Sequence, residues 1–313
     1  MNHVITIVGP TAVGKSAIAV HLAQVFGGEI VSADSRQVFR GMNIGTAKPT
    51  AEEQHLVPHH LIDVVDPDRD FTLALYQEMA IKTIEDVQRR GRLPLLVGGT
   101  GLYVRALLGG FRIPHVPPDN ELRRVMEERA AAEGYTAIHE ELERIDPASA
   151  QKIDPRNVRR VIRAIEVFRT TGIPFSKLQS FSPIFHTLLI GLTTAREDLY
   201  RRIDIRVDRM MEQGLVQEVK GLVERGYSLN LPSMSGLGYK QIGQYLKEEL
   251  DLYEAVQSIK NETHRFARHQ YAWFRPSDEN IHWFDVRNGV EEPIRSLIKG
   301  YVFKHTGMEL AKL

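Results

Sequence analysis

The chain contains no cysteine, and its formal net charge is zero. The lack of cysteine excludes disulfide bonds and cysteine-ligated zinc. Because 40 basic residues balance 40 acidic ones, net charge gives no indication of a nucleic-acid partner, although local charged patches remain possible. No apolar run is long enough to cross a bilayer, and residues 1–8 have the character of a strand rather than of a signal peptide. We therefore expect a cytoplasmic protein with no membrane association.

The 313 residues have an ordinary globular composition, 42% hydrophobic and 26% charged, and suffice for a large domain or for a core with a smaller domain. In the first third of the chain, short apolar segments alternate with segments of helical periodicity. Such alternation, with continuously apolar strands, indicates a parallel sheet covered by helices on both faces. The predicted strands are residues 3–8, 27–35 and 93–101, and the predicted helices are residues 15–26 and 75–91.

A helical region is predicted to interrupt this core. Residues 121–169 are mostly charged helix and contain no convincing strand. A Pro/Ser-rich stretch at 172–185 has the composition of a linker, and strand character returns at 186–193, followed by helices to the end. We therefore predict an α/β fold with a P-loop-type core, whose parallel sheet is flanked by helices, and a smaller all-helical insertion domain. The predicted ranges are 1–115 and 184–313 for the core and 116–183 for the insertion.

The most specific motif is G-x-x-x-x-G-K-S, between the first predicted strand and the first predicted helix. A loop in this position can aim successive backbone N–H groups at an anion, and the helix dipole adds to the attraction. Gly9 and Gly14 permit a tight wrap, Lys15 adds a positive charge, and the Ser16 hydroxyl is placed to hold Mg²⁺. The predicted phosphate-binding residues are Gly9, Pro10, Thr11, Ala12, Val13, Gly14, Lys15 and Ser16.

An NTPase or kinase normally has an acidic residue at the end of a neighbouring strand, where it helps to hold the metal. The strand predicted at 93–101 ends without one, and Asp63 and Asp66 fall in a polar segment bounded by proline. The second predicted strand delivers Asp34 to the carboxyl edge of the sheet, which is where open α/β sheets bind ligands. Asp34 is therefore a candidate catalytic carboxylate. The alternative is that it caps a helix formed by the residues that follow.

Six segments, in order along nearly the whole chain, together resemble the bacterial tRNA dimethylallyltransferases, the tRNA isopentenyltransferase family. They are GPTAVGKS (9–16), SADSRQVFRGMNIGTAKP (32–49), GGTGLYVRALL (98–108), DPRNVRRVIRAIEV (154–167), GLGYKQ (236–241) and RFARHQYAWFR (265–275). One departure is Phe39, which stands where the family often has tyrosine. The resemblance implies that the loop binds dimethylallyl diphosphate. It also implies that the five-carbon group moves to N6 of adenosine 37, beside the anticodon of tRNAs reading codons that begin with U.

The resemblance and the chemistry together suggest catalytic roles for three residues. Asp34 would accept the N6 proton as general base. Arg206 would contact the diphosphate, the alternative being an exposed helical arginine. Thr100 would contact the reacting region and the tRNA, the alternative being a turn-forming hydroxyl. Mg²⁺ on Ser16 is the implied cofactor.

Basic residues cluster at 156–169, which suggests a surface for RNA. The alternative is an amphipathic helix with a solvated basic face. With the resemblance, RNA contact is favoured for Arg159 and Arg160, and a mainly structural role for Trp273 and Phe274. The residues predicted to contact the anticodon stem-loop are Asp34, Ser35, Arg36, Gln37, Thr100, Arg123, Arg156, Asn157, Arg159 and Arg160.

Three other functions compete with this interpretation. A P-loop small-molecule kinase would need the acid that is missing after the strand at 93–101. An enzyme that prenylates free AMP or ADP would have little use for a basic insertion. A non-catalytic RNA-binding protein would give no reason for Lys15, Ser16 and Asp34 to converge. We therefore predict a tRNA-modifying prenyltransferase, and we expect it to be a monomer.

Overall fold

The computed structural model describes residues 3–111, 113–114, 116–178 and 182–306. The chain divides into two compact units, residues 1–108 with 184–313, and residues 109–183. The first boundary therefore stands at residue 109 rather than at the predicted 116, because the last helix before it ends at Leu108. Residues 112 and 115 of the predicted core, and 179–181 of the predicted linker, lie outside the described residues.

A six-stranded sheet forms the centre of the first unit, and all neighbouring strands pair in parallel. The strand order is β3-β2-β4-β1-β5-β6. The strands are β1 His3–Val8, β2 Gly28–Ser32, β3 His59–His60, β4 Leu93–Val97, β5 His186–Thr193 and β6 Ile281–Asp285.

Two strands were missed by the sequence analysis, and both lie at an edge of the sheet. β3 has only two residues. Of the five residues of β6 only the first is buried, so this strand lacks the continuous apolar run that marks a central strand. The prediction of helices alone after residue 193 was therefore wrong. The predicted strands at 27–35 and 93–101 are each shortened to five residues, because the chain leaves the sheet at its carboxyl edge.

The helices of the described residues follow the predicted order, and α1 has the predicted bounds. They are α1 Lys15–Phe26, α2 Ala51–Leu56, α3 Leu73–Arg89, α4 Gly101–Leu108, α5 Asn120–Glu133, α6 Tyr135–Ile145, α7 Pro147–Ala150, α8 Val158–Thr171, α9 Phe175–Leu178, α10 Arg196–Glu212, α11 Leu215–Glu224, α12 Tyr239–Leu246, α13 Leu252–Trp273 and α14 Glu291–Thr306. None of them is long and apolar enough to cross a bilayer.

The two faces of the sheet are covered by separate apolar layers. In β1, Ile5 and Ile7 point to a layer that includes residues of α1 and α10, whereas Val4 and Val8 point to a layer that includes residues of α3 and α4. Alternate side chains of a strand point to opposite faces, so a strand buried on both sides is apolar throughout. This arrangement leaves the carboxyl edge of the sheet free to carry the polar site.

The second unit has an apolar core of its own. Met126 of α5, Ile138 of α6 and Val161 of α8 belong to this core. The stretch predicted as a linker contains a short helix, α9, because the backbone N–H and hydroxyl of Ser176 donate to the buried Asp146 carboxylate at 2.8 and 2.6 Å. The linker prediction was therefore wrong for these residues.

Candidate active site

The loop between β1 and α1 is wrapped tightly at the carboxyl edge of the sheet. Gly9 and Gly14 have φ angles of 143° and 106°, which are accessible to glycine at little cost. A Cβ on Gly9 would lie 2.4 Å from the Leu192 carbonyl oxygen. The Lys15 ammonium donates to the carbonyl oxygens of Gly9 and Pro10 at 3.0 and 2.7 Å. The loop therefore has the conformation that the motif predicts, with its lysine folded back over it.

Two cations face each other across the space above this loop. Burial and the neighbouring Arg206 lower the pKa of Lys15 to about 7, while Asp34 opposes the shift. Burial also lowers the pKa of Arg206, again opposed by Asp34. Desolvation and like charge both disfavour the protonated forms. An anion bound between them would relieve both effects, so the space is suited to a multiply charged anion.

This space is a cavity of about 80 Å³ lined mainly by polar groups. Thr11, Lys15 and Ser16 come from the loop, Asp34 follows β2, and Arg206 comes from α10. Arg206 is half-buried, and its Nη1 lies 3.5 Å from the Thr11 hydroxyl. It is therefore not the exposed helical arginine considered as the alternative.

A second cavity, of about 280 Å³, adjoins the first and is more apolar. Ile203, Val207 and Met210 line it from α10, and Ile259 and Phe266 line it from α13. The two cavities share four residues, so they meet at one polar junction. The shared residues are Thr11, Asp34, Thr46 and Arg206.

Asp34 has one carboxylate oxygen held by the protein. Its Oδ1 accepts hydrogen bonds from the backbone N–H groups of Arg36 at 2.8 Å and Gln37 at 3.4 Å. The residues that follow form a turn rather than a helix, so Asp34 caps a turn and the helix-cap alternative is wrong. Within the described residues, its Oδ2 has no hydrogen-bond partner. The carboxylate is therefore oriented by one oxygen and left with a second that is free to accept a proton.

Thr100 is joined to the same turn. Its hydroxyl accepts from the Ser35 backbone N–H at 3.1 Å and lies 3.4 Å from the Ser35 hydroxyl. Both residues line the second cavity. Thr100 therefore stabilises the turn, as the alternative interpretation predicts, and it also lines the second cavity.

Gln37 and Arg36 fasten the turn to other segments. The Gln37 side chain accepts from the Ser32 hydroxyl at 3.0 Å and donates to the Ala47 carbonyl at 3.2 Å. The Arg36 guanidinium donates to the Pro232 carbonyl at 2.9 Å. These predicted RNA contacts therefore also hold the walls of the cavities in place.

A glutamate that the sequence analysis did not single out organises the wall shared by the cavities. The Glu218 carboxylate, on α11, accepts from the backbone N–H groups of three successive residues, 43–45, at 2.8 to 3.3 Å. The Tyr239 hydroxyl also donates to it at 2.5 Å. The next residue in the chain, Thr46, lines both cavities. A glutamate in an amphipathic helix gives no sequence signal for such a role, because its usual position is a solvated face.

The other two acidic residues considered as metal ligands, Asp63 and Asp66, form ion pairs with basic side chains. Asp63 accepts from the buried Lys48 at 2.5 Å, and Asp66 pairs with Arg40 at 3.2 Å. Asp34 is the acidic residue of the first cavity. In the described part of the chain, no group of three or more histidine, cysteine, aspartate or glutamate side chains could hold a metal ion.

In the second unit, three of the predicted RNA contacts have partners within the unit. Arg123 donates two hydrogen bonds of 2.9 Å to the fully buried Glu166. Arg156 pairs with Asp154 at 2.8 Å. The Asn157 side chain caps α8. Their side chains are therefore already engaged in ion pairs or capping.

Arg159 and Arg160 differ from their basic neighbours. Both are exposed at the start of α8, and within the described residues neither side chain has a hydrogen bond or an ion pair. Arg163 and Arg169 on the same helix are paired with glutamates. The structure therefore distinguishes the two unpaired arginines from the paired ones on the same helix. The sequence alone does not show this difference.

The two aromatic residues at the end of α13 differ in burial, since Trp273 is 37% exposed. Phe274 is 3% exposed and belongs to a core layer. Trp273 packs against Gly101, where a Cβ would lie 2.2 Å from its ring, and Arg105 lies over that ring at 5.3 Å. Helix α13 is thereby packed onto α4 beside the site.

Known proteins were compared with this chain by sequence and by structure. The family described as IPP transferase matches residues 37–277, and the family described as isopentenyl transferase matches residues 2–63. The tRNA dimethylallyltransferase of Thermomicrobium roseum is 52% identical over 298 residues, which cover 95% of this chain and 90% of that protein. The corresponding protein of Roseiflexus castenholzii is 55% identical over 276 residues, covering 88% and 90%.

Solved structures agree with these sequence matches. The tRNA isopentenylpyrophosphate transferase of Bacillus halodurans superposes with a TM-score of 0.73 at 42% identity, covering 97% of this chain and 98% of that one. A eukaryotic dimethylallyltransferase acting on tRNA has a TM-score of 0.82 at 28% identity, covering 97% and 80%. The site and the similarity over nearly the whole length lead to one conclusion: this chain is a member of the tRNA dimethylallyltransferase family of transferases.

Proposed function

We propose that this protein transfers the dimethylallyl group of dimethylallyl diphosphate to N6 of adenosine 37, beside the anticodon of tRNAs that read codons beginning with U. The observation that carries the proposal is the junction of the two cavities. A polar cavity suited to a diphosphate and a larger apolar cavity suited to a base meet at Asp34 and Arg206. A modifying enzyme extrudes its target base into such a pocket.

The diphosphate end of the donor would bind above the P-loop. Lys15 and Arg206 supply positive charge, and the N-terminus of α1 directs its backbone N–H groups to the same place. As the bond from C1 to oxygen breaks, its electron pair passes to the diphosphate. The charge that grows there is stabilised by groups already in position, and such preorganised charge accelerates reaction.

The acceptor nitrogen needs a base, because the lone pair of the adenine amino group is delocalised into the ring. As the N6–C1 bond forms, N6 loses a proton, and Oδ2 of Asp34 is the acceptor that has no other partner among the described residues. Oδ1 stays bound to the turn and fixes the carboxylate in place. A base positioned in this way contributes roughly 10²- to 10⁴-fold to the rate.

Ser16 fits the Mg²⁺ that the resemblance implies. It is exposed in the first turn of α1, lines the polar cavity, and has no hydrogen-bond partner for its hydroxyl within the described residues. Mg²⁺ commonly takes few protein ligands and completes its shell with waters and substrate phosphates, so a single hydroxyl beside a diphosphate is a suitable donor set. The ion would neutralise charge on the leaving group.

The test of this function uses tRNA that lacks the modification, labelled dimethylallyl diphosphate and Mg²⁺, followed by nucleoside analysis. We expect label in N6-(dimethylallyl)adenosine at position 37. AMP offered as the acceptor in a parallel reaction distinguishes a nucleotide prenyltransferase, and labelled ATP distinguishes a kinase. Label that enters AMP but not tRNA, or phosphate transferred from ATP, would overturn the proposal. We also expect a cytoplasmic monomer, which fractionation and size-exclusion chromatography would test.

A further inference from the structure

One buried amide links the P-loop to the segment that follows the neighbouring strand β4. Gln270 lies on α13 and is 4% exposed. Its Oε1 accepts from the Thr11 backbone N–H at 2.7 Å, and its Nε2 donates to the Gly99 carbonyl at 3.0 Å. Both hydrogen-bonding ends of the side chain are therefore used, as a buried amide requires.

The two segments joined in this way are neighbours in the wall of the diphosphate cavity. Thr11 follows β1 and Gly99 follows β4, the strand that pairs with β1, and both residues line the cavity. A Cβ on Gly99 would lie 2.1 Å from Gln270 Nε2, so the glycine makes room for the amide. Thr11 also presents its hydroxyl to Arg206 at 3.5 Å. Gln270 is therefore hydrogen-bonded to a loop residue whose hydroxyl contacts a cation of the site.

We propose that Gln270 is a positioning residue that holds the P-loop in its diphosphate-binding shape. It acts through Thr11 and does not itself meet the reacting atoms. The Thr11 amide is occupied by this hydrogen bond, so the diphosphate would be held by the later N–H groups of the loop, by Lys15 and by Arg206. The inference rests on the proposed function, because it assigns Gln270 to the binding of that donor.

The chemistry of the two partners explains the need for glutamine. One partner is a donor and the other an acceptor, so the residue between them must accept at one end and donate at the other. An ionised glutamate would place an acceptor against the Gly99 carbonyl, whereas a methionine of similar size would satisfy neither group. A buried group left unsatisfied is costly, so the loop would move to reach water.

The experiment measures the binding of inorganic pyrophosphate and of dimethylallyl diphosphate to the full chain without tRNA, by calorimetry with Mg²⁺. Gln270→Ala and Gln270→Met should raise both dissociation constants by roughly 10- to 100-fold, while the affinity for tRNA stays within about twofold. Gln257→Ala is the matched control, because Gln257 is the same residue type on the same helix and its side chain has no hydrogen bond in the described part of the chain. It should bind as the unaltered protein does.

Gln270→Glu adds a signature that a general packing defect would not have. A protonated glutamate donates to the Gly99 carbonyl and restores the hydrogen bond, whereas an ionised one repels it. The ratio of the variant's dissociation constant to that of the unaltered protein should therefore fall as pH falls. The other titratable groups that line this cavity are Lys15, Asp34, His59 and Arg206. They are present in both proteins, so their titration is removed by taking the ratio.

Each failure has a separate meaning. If the unaltered protein transfers no label to tRNA, the proposed function is wrong; if it transfers label but binds no pyrophosphate without tRNA, the inference is wrong, because Gln270 then does not hold the loop in a binding shape. If it binds, and folded Gln270→Ala and Gln270→Met bind equally well, the role of Gln270 is wrong and the proposed function stands. An equal loss of tRNA affinity in these variants also overturns the inference, as does a ratio for Gln270→Glu that stays well above one and does not change with pH. The melting temperature establishes folding, and the methionine variant serves if the alanine variant does not fold.

Discussion

Asp34 has a structural role in the turn and is the base in the proposed reaction. Its Oδ1 caps the turn that begins at Ser35, while Oδ2 has no hydrogen-bond partner among the described residues. Replacement by asparagine keeps an oxygen that can accept from the turn but removes the base. Replacement by alanine removes both. Comparing the two variants therefore separates the roles.

We expect Asp34→Asn and Asp34→Ala to lower kcat for tRNA prenylation by roughly 10²- to 10⁴-fold, because both lack a proton acceptor. Pyrophosphate affinity should change little when measured at a pH well below the pKa of Lys15, because the loss of Asp34 lowers that pKa further. Steady-state kinetics and calorimetry provide the two measurements. Near-normal turnover in Asp34→Asn, with a loss only in Asp34→Ala, would leave Asp34 with the turn cap alone.

Lys15 makes binding of the donor dependent on pH. Its pKa is lowered to about 7 by burial and by Arg206, so the free protein loses this charge as pH rises through that value. A bound diphosphate favours the protonated form and raises the pKa. The dissociation constant of dimethylallyl diphosphate should therefore rise above pH 7, by at most about tenfold per pH unit.

The control for this prediction is Lys15→Arg, because a guanidinium stays protonated over the whole range. The pH dependence of the variant's dissociation constant should reflect only the titration of the ligand. Calorimetry across neutral pH, in buffers that differ in ionisation enthalpy, would also detect the proton taken up on binding by the unaltered protein. Equal pH dependence in the two proteins would contradict the lowered pKa.

At the scale of the element, α8 is informative because its arginines have different surroundings. Arg159 and Arg160 are exposed and without partners in the described residues, whereas Arg169 pairs with Glu141. An arginine that binds an RNA phosphate releases counterions, so its removal flattens the dependence of binding on salt. An arginine already paired within the protein has less charge to offer.

We expect the double variant Arg159→Ala and Arg160→Ala to weaken binding of an anticodon stem-loop, with dimethylallyl diphosphate affinity unchanged. The slope of log K against log salt should flatten by about 0.7 for each phosphate that is no longer neutralised, if the bound RNA is single-stranded. Fluorescence anisotropy at several salt concentrations measures both quantities. Arg169→Ala is the control and should keep the slope, and an unaltered slope in a folded double variant would reject RNA binding at this end of α8.

Helix α13 shows the limits of periodicity. Phe266, Gln270 and Trp273 recur at helical spacing, so the sequence places them on one side of the helix. In the structure Phe266 lines the second cavity, Gln270 binds the P-loop, and Trp273 packs against α4. Periodicity identifies a face but not what that face contacts.

At the scale of the whole molecule, the edge of the sheet opposite the site brings distant histidines together. His3 begins β1, and its ring centroid lies 5.4 Å from that of His186 on β5 and 5.1 Å from that of His305 on α14. Its Nδ1 is 3.1 Å from the Tyr301 hydroxyl. Burial, and then the charges of His305 and His186, lower the pKa of His3.

The sign of this shift predicts acid sensitivity. A histidine whose pKa is lower in the folded protein binds fewer protons there than in the unfolded chain, so stability is retained above the unfolded value of 6.5 and declines as pH falls below it. His3→Gln should flatten the fall of the melting temperature between neutral and mildly acidic pH. His282→Gln, at an exposed position of β6, is the control. Coincident curves for His3→Gln and the unaltered protein would contradict this prediction.

The sequence by itself determined the features that depend on neighbours in the chain. The P-loop, the central strand β1 and the bounds of α1 follow from glycine spacing, continuous apolar residues and a helix that begins at Lys15. The family also follows, because six segments retain their order and types. Asp34 could be named as well, since a residue that ends a parallel strand must lie at the ligand-binding edge.

Only the tertiary structure decided which polar groups are partners and which are free. Glu218 and Gln270 are distant in sequence from the loops they hold, and their residue types are equally common on solvated helix faces. Among the described residues the Arg159 side chain has no partner, whereas Arg123 pairs with a buried glutamate. The edge strands β3 and β6 depend on pairing with strands already in place. These polar groups find their hydrogen-bond partners in segments that are distant in sequence. A local sequence pattern therefore cannot predict which partner a group will have.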